Sequence, residues 1–212
     1  MDQPYITYLI IILTAISSFM AFNNPAVQGS ALFYPFAINE RKEWYRFLTS
    51  GFIHADFMHL LINMYVLYSF GSIVETYFFP AIFHAQARLA YVVMYVLALI
   101  VSDIPSYFKH RHDATYRGLG ASGAVAAVVF SYILIDPWPE GGGIGILFLP
   151  FSVPPIIFGA LYLIYSGIMG QRGRGNINHD AHFYGSVFGF LFPIAFKPEL
   201  FTSLIHLIQD KL

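Results

Sequence analysis

Gly120-Ala121-Ser122-Gly123 opens an apolar run that continues through Ile135, and His182-Phe183-Tyr184-Gly185 opens a second that continues to Phe196. Each stretch sets one reactive side chain, with glycine close by, at the start of an apolar segment. Gly185 and Gly189 follow His182 at i+3 and i+7, so the three share one helix face. Gly123, Ala126 and Ala127 give the serine segment a matching small face. Small side chains let two backbones approach, so these helices can cross closely. The reading is a bundle of apolar helices held together by small-residue surfaces.

Composition agrees. Of 212 residues, 57% are hydrophobic and 11% charged, against about 25% charged in soluble domains. Aromatics reach 18%, which suits membrane–water interfaces. The net charge of −1 and the lack of a basic block argue against a nucleic-acid partner. With no cysteine, disulfides, thiol catalysis and thiolate metal sites are excluded together.

A membrane span needs about 20 mostly apolar residues. Six candidates emerge, at roughly 5–22, 57–79, 89–102, 119–135, 144–168 and 181–196. The expected fold class is an all-α membrane protein, a six-transmembrane-helix bundle forming one domain over 1–212. The first segment lacks a basic leader and a clear cleavage site, so it reads as a retained span. The connection 23–56 is long, and a loop of that length is usually functional or ordered by itself. A Pro/Gly turn covers 136–143, and a Gly/Arg turn covers 171–178. After Pro198, the residues Leu200, Leu204, Leu207 and Ile208 give the tail an apolar face that suits the interface.

Three constellations carry chemistry. The Ser122 hydroxyl is a weak nucleophile until a neighbouring base takes its proton. The residue two past it is Ala124, so the Gly-x-Ser-x-Gly elbow is absent. A histidine inside a span is a candidate functional group that faces the bundle interior, which makes His182 a candidate base. His59 and Asn63 are four apart and share a helix face, so both can donate towards one point, as an oxyanion requires. The bland alternatives are small-residue packing for Ser122, a satisfied polar residue for His182, and an inter-helix hydrogen-bond pair for His59 and Asn63. A metal site among His54, His59, His179, Asp180 and His182 is disfavoured, because the His-Glu-x-x-His signature is missing. No metal or other cofactor is expected. Glu75 and Asp103 read as polar anchors, and Arg41, Lys42 and Arg46 as a solvated face.

The ordered set Tyr45-Arg46, His54, His59-x-x-x-Asn63, Gly71-x-x-x-Glu75, Gly120-Ala121-Ser122-Gly123 and Ala181-His182-x-x-Gly185-x-x-x-Gly189 resembles the rhomboid family of intramembrane serine proteases. The resemblance implies Ser122 as nucleophile and His182 as base of a Ser-His dyad. It implies an oxyanion hole of His59, Asn63 and the Ser122 N–H, supported by Gly120, Gly123, Gly185, Gly189, His54 and Arg46. It implies no third acid. The expected partners are transmembrane protein substrates and the lipid bilayer, in a plasma or inner membrane.

Two positions depart from the family pattern. Tyr45 precedes Arg46 where tryptophan is usual, with Trp44 one residue early. Ala126 stands four residues after Ser122, where many members carry an aromatic that packs on the catalytic imidazole. Tyr184 or Phe130 is then the expected support for His182. Orientation is also in conflict. Family topology puts both termini in the cytoplasm, yet Arg41, Lys42, Arg46, Lys109, Arg111, Arg117, Arg172 and Arg174 fall in loops that should face outward, and only Arg88, Lys197 and Lys211 fall on the inner side, against the positive-inside tendency. The rival readings are a catalytically inactive adaptor of the same fold and a small transporter using its intramembrane histidines. Pro150, Pro154 and Pro155 weaken the fifth span and suggest a substrate gate there.

Overall fold

The first helix is inside out by the standards of a soluble protein. Helix α1 (Tyr5–Phe22) turns Thr7, Ile10, Thr14, Ser18 and Ala21 inward, while Leu9, Ile12, Leu13, Ile16, Phe19 and Met20 are exposed. Small and polar side chains at the helix contact, with large apolar ones outside, describe packing against hydrocarbon rather than water. The structure is a computed structural model describing residues 3–140, 142–145, 152–172 and 178–211.

Glu75 fixes the start of α1. Its carboxylate accepts the Ile6 N–H at 2.9 Å, the Thr7 N–H at 2.7 Å and the Thr7 hydroxyl at 2.7 Å. Two otherwise orphaned N–H groups are satisfied, and the negative charge sits at the positive end of the helix dipole. Glu75 is thus an anchor, as its sequence context suggested.

The long connection after α1 is ordered by short helices, Pro25–Ala31, Pro35–Arg41 and Arg46–Thr49. Arg46 lies buried at their centre rather than on a solvated face. Its guanidinium donates to Glu43 and to the carbonyls of Gly29 and Leu32 at 3.0 and 2.8 Å. The Arg46 hydrogen bond holds the Glu43 carboxyl below its ordinary range, with the charges of Arg46 and Arg41 adding to it. Trp44 stacks on Phe47 and tilts against Tyr107, so it packs the loop from one position early.

Helix α2 covers 57–83 and contains two π-helical turns, Leu67–Gly71 and Val74–Phe78. At His84, φ is +51°, and the chain reverses into α3 (Ala87–His110). A Cβ on Gly71 would strike the Tyr91 side chain, and the Phe79 and Tyr91 rings meet edge to face at 5.9 Å, so α3 packs back along α2. Helix α3 outruns the expected 89–102 at both ends.

Helix α4 (Ser122–Ile135) is the centre of the bundle and is buried from Gly123 to Leu134. The expected fifth span does not begin at 144. Ile144–Gly145 and Ser152–Val153 form a short antiparallel pair, and α5 runs Pro155–Arg172. Proline is favoured at the first helical position and disfavoured inside a helix, so Pro155 sets this start. Pro150 and most of the Gly/Arg turn lie outside the described residues. Helix α6 (His179–Phe196) follows, and α7 (Glu199–Gln209) folds away from it at 113°.

By length and apolarity alone, Tyr5–Phe22 and the 54-residue path Phe57–His110 qualify for crossing a membrane, and His179–Phe196 joins them only with Glu199–Gln209. These criteria therefore give fewer than six spans. The 54-residue path is too long for one crossing of a core about 30 Å thick at 1.5 Å per residue, and it contains the α2–α3 reversal. Helix α4 has 14 residues, roughly 21 Å, and is shielded on every side by the other helices.

Candidate active site

Ser122 and His182 meet across the α4–α6 crossing. Ser122 Oγ lies 2.8 Å from His182 Nε2. The crossing is close because Gly185 and Gly189 have no side chain. A Cβ at Gly185 would run into the Gly123 carbonyl, and one at Gly189 into the Ala127 backbone. Ser131 adds a hydrogen bond to the Gly189 carbonyl at 2.7 Å.

The approach to Ser122 is pinned from three sides. Gly118 pairs with Phe33 of the long loop. Gly120 has φ +117°, in the region that favours glycine, and its N–H donates to the Ser50 carbonyl at 2.9 Å. The Ala121 N–H donates to His54 Nε2 at 3.4 Å. That bond leaves His54 Nδ1 as a donor to Ser18 Oγ at 3.0 Å, and the Ser18 hydroxyl lies 3.3 Å from the Phe52 carbonyl. The relay requires a neutral imidazole. Burial supplies it, pushing the His54 pKa down to about 3, with His59 beside it adding to the shift. His54 therefore positions the backbone before Ser122.

His59 and Asn63 enter the site from the first turns of α2. Asp56 caps that helix by accepting the His59 N–H at 2.8 Å. The Asn63 amide donates to the His59 carbonyl at 2.9 Å, which leaves its second N–H for another acceptor. The His59 ring packs edge to face on His54, with centroids 4.9 Å apart. Ser122 is the first residue of α4, where backbone N–H groups have no intrahelical partner.

His59, Asn63, Ser122 and His182 line one cavity of about 650 Å³, together with Val125, Ala126, Phe130, Tyr162 and Asn178. Such a space admits an extended peptide segment beside the Ser122 hydroxyl.

The support for His182 differs from expectation. Tyr184 is 42% exposed and pairs with Phe183, away from the imidazole. Phe130 contacts Tyr162 instead. It is Tyr162, from α5, that stacks on the His182 ring, with centroids 6.0 Å apart and planes 22° apart. Asn178 is the second residue that sequence reasoning missed. Its Oδ1 accepts the Ala181 N–H at 3.1 Å and so caps α6, while its amide donates to Asp103 at 2.9 Å. Asp103 thus anchors the start of the histidine helix. An Asn ahead of an apolar helix was the available signal for the cap; nothing in the local sequence marked Tyr162. Asp180 pairs with Lys109 rather than with His182. Among the described residues, no three His, Asp or Glu side chains are grouped to hold a metal ion.

The family model for the Rhomboid domain matches residues 41–199. The chain is 30% identical to RHOMBOID-like protein 12, mitochondrial, of Arabidopsis thaliana over 66% of its length and 42% of that protein. It is 30% identical to the presenilin-associated rhomboid-like protein, mitochondrial, of Mus musculus over 67% of its length and 35% of that protein. It is 26% identical to Rhomboid-like protein 15 of Arabidopsis thaliana over 87% of its length and 42% of that protein. The chain therefore spans well under half of these relatives. It belongs to the rhomboid family. The family and the apolar helices make it an integral membrane protein. The names of the first two relatives place those proteins in mitochondria, not in a plasma membrane.

Proposed function

We propose that this chain is an intramembrane serine endopeptidase, a single domain whose helices α1 to α6 form the six-span bundle, and that it cleaves transmembrane segments of membrane proteins. The observation that carries the reading is the 2.8 Å contact between the Ser122 hydroxyl and His182 Nε2 beside a peptide-sized cavity. A substrate helix hides its carbonyls in its own hydrogen bonds, so a stretch of it must unwind to react. Ser122 Oγ attacks the exposed carbonyl carbon while His182 takes the proton. The oxyanion is met by Asn63, His59 and the Ser122 N–H. His182 then protonates the leaving amine, and water repeats the sequence on the acyl-enzyme.

The test is cleavage of a model transmembrane substrate in detergent, alongside fluorophosphonate labelling of the enzyme. The protease reading expects both, and both should vanish together in Ser122→Ala. Folded protein that neither cleaves nor labels would instead be the non-cutting adaptor. Asn63→Ala should lower kcat about 10²- to 10³-fold, the range for one oxyanion donor, with labelling slowed as well. An unchanged rate would remove Asn63 from the oxyanion hole.

Arg41, Arg46 and Lys109 lie at the dyad end of the bundle, whereas Arg88 and Lys197 lie at the other, and we infer that the dyad end faces outward. The conflict with the positive-inside tendency is eased by the fold. Arg46 is buried, Arg41 pairs with Glu43, and Lys109 pairs with Asp180. Charges held in a folded loop are poor topology signals compared with free ones. The chain has no native cysteine, so Gln3→Cys gives a clean probe. In intact cells it should resist a membrane-impermeant maleimide until the membrane is permeabilised. Immediate labelling would invert the assignment.

A further inference from the structure

We propose that Tyr162 is the positioning residue for the His182 imidazole, and that the side wall of the substrate cavity thereby sets the alignment of the dyad. The inference rests on the protease reading and adds to it a residue on a third helix.

The imidazole must present Nε2 to Ser122, and one hydrogen bond leaves the ring free to swing about it. Something must press on its face. On the serine helix the position one turn past Ser122 is Ala126, which lines the cavity and offers no ring to the imidazole. Tyr162, from α5, lines the same cavity and supplies one. Its ring lies within 22° of parallel to His182 at 6.0 Å, inside the range for offset stacking. The tyrosine is itself wedged. Phe158 stacks on it at 5.8 Å, and Phe130 of α4 meets it at 6.0 Å. His179, one turn before His182, approaches the imidazole edge to face at 5.8 Å. The ring of His182 is therefore held between its own helix and α5.

The consequence follows from where Tyr162 is mounted. Helix α5 presents Leu161, Ile164, Tyr165 and Ile168 outward, while Phe158 and Tyr162 line the cavity. A substrate segment entering beside α5 bears on the same helix that steadies the base. Tyr162 is thus at once a wall of the cavity and the support of the base.

The two rings separate by experiment. Tyr162→Phe keeps the stacking face and should cleave and label within about threefold of wild type. Tyr162→Leu should slow fluorophosphonate labelling and kcat by roughly 10- to 100-fold, the scale of a misplaced catalytic group, with KM within about twofold. Ala126→Tyr added to Tyr162→Leu supplies a ring from the serine helix and should recover most of the loss. If Tyr162→Leu does not fold, Tyr162→Met, which fills the space without a flat face, takes the same measurements. Wild-type rates in Tyr162→Leu or Tyr162→Met overturn the inference and leave the protease reading intact. A rise in KM with kcat unchanged also overturns it, since Tyr162 would then be only a wall of the substrate site. A wild type that neither labels nor cleaves fails at the earlier step and ends both.

Discussion

Ser122→Ala is expected to abolish cleavage of a transmembrane substrate, a loss of roughly 10⁶-fold in kcat, which is the scale seen when a serine hydrolase loses its nucleophile. The reason is chemical and local. With the hydroxyl gone, no group on the described cavity wall is both nucleophilic and within reach of a base. The remaining donors at Asn63 and His59 can still bind an oxyanion, so residual acceleration of water attack is expected rather than none. Substrate affinity should hold, because the deleted oxygen is one atom in a cavity of about 650 Å³. The fold should hold as well. Removing Ser122 Oγ forfeits one hydrogen bond, worth about 1 kcal/mol. His182→Ala should cost a comparable factor, and the double variant should be no worse than either single one, because the two groups act as a unit. Single losses that multiplied in the double variant would mean that serine and histidine work independently, and the dyad would be the wrong description.

The parts of this site that were legible in the sequence are those encoded by local spacing. Gly185 and Gly189 share a face with His182 because 3.6 residues make a turn, and that face is the one that meets α4. His59 and Asn63 converge for the same reason. Asp56 ahead of His59 has the chemistry of a helix cap, a signal that sequence reasoning missed, and it serves as one. The misreadings have a common cause, which is that a tertiary partner decided them. By composition Arg46 reads as a solvated cation, while the family resemblance counts it among the supports; the carbonyls of Gly29 and Leu32 and the Glu43 carboxylate bring it inside. Hydropathy ran the fifth segment back to 144, whereas the pairing of Ile144 with Val153 and the start at Pro155 belong to backbone geometry. Tyr162 is one more aromatic in an aromatic-rich chain until the fold turns it towards His182. Helix α4 illustrates the limit of hydropathy from the other direction. It is short for a span, but it is buried all round, so length relative to the bilayer is not the constraint that shaped it.

Gly189→Val should be the most damaging substitution away from the reacting atoms. The new Cβ would overlap the carbonyl oxygen and Cα of Ala127. Those are backbone atoms in the middle of the central helix, so no rotamer change relieves the overlap, and α4 and α6 must part. The hydrogen bond from Ser131 to the Gly189 carbonyl lengthens with them. Overpacking of this kind costs about 1–3 kcal/mol and sometimes more, which for a chain of this size lowers Tm by roughly 2–12 °C. The larger effect is on turnover. Ser122 and His182 sit on the two helices being separated, so a shift of about 1 Å should reduce kcat on the order of 10²-fold in the protein that stays folded. Gly167→Ala is the matched control. Its Cβ would meet only the Phe183 ring at 3.6 Å, an ordinary contact, and both Tm and kcat should stay near wild type. If Gly189→Val instead keeps the melting temperature and the rate of the control, the small-residue crossing is not what brings the hydroxyl to the imidazole. The alignment would then have to come from the loop contacts at Gly118 and Gly120 alone.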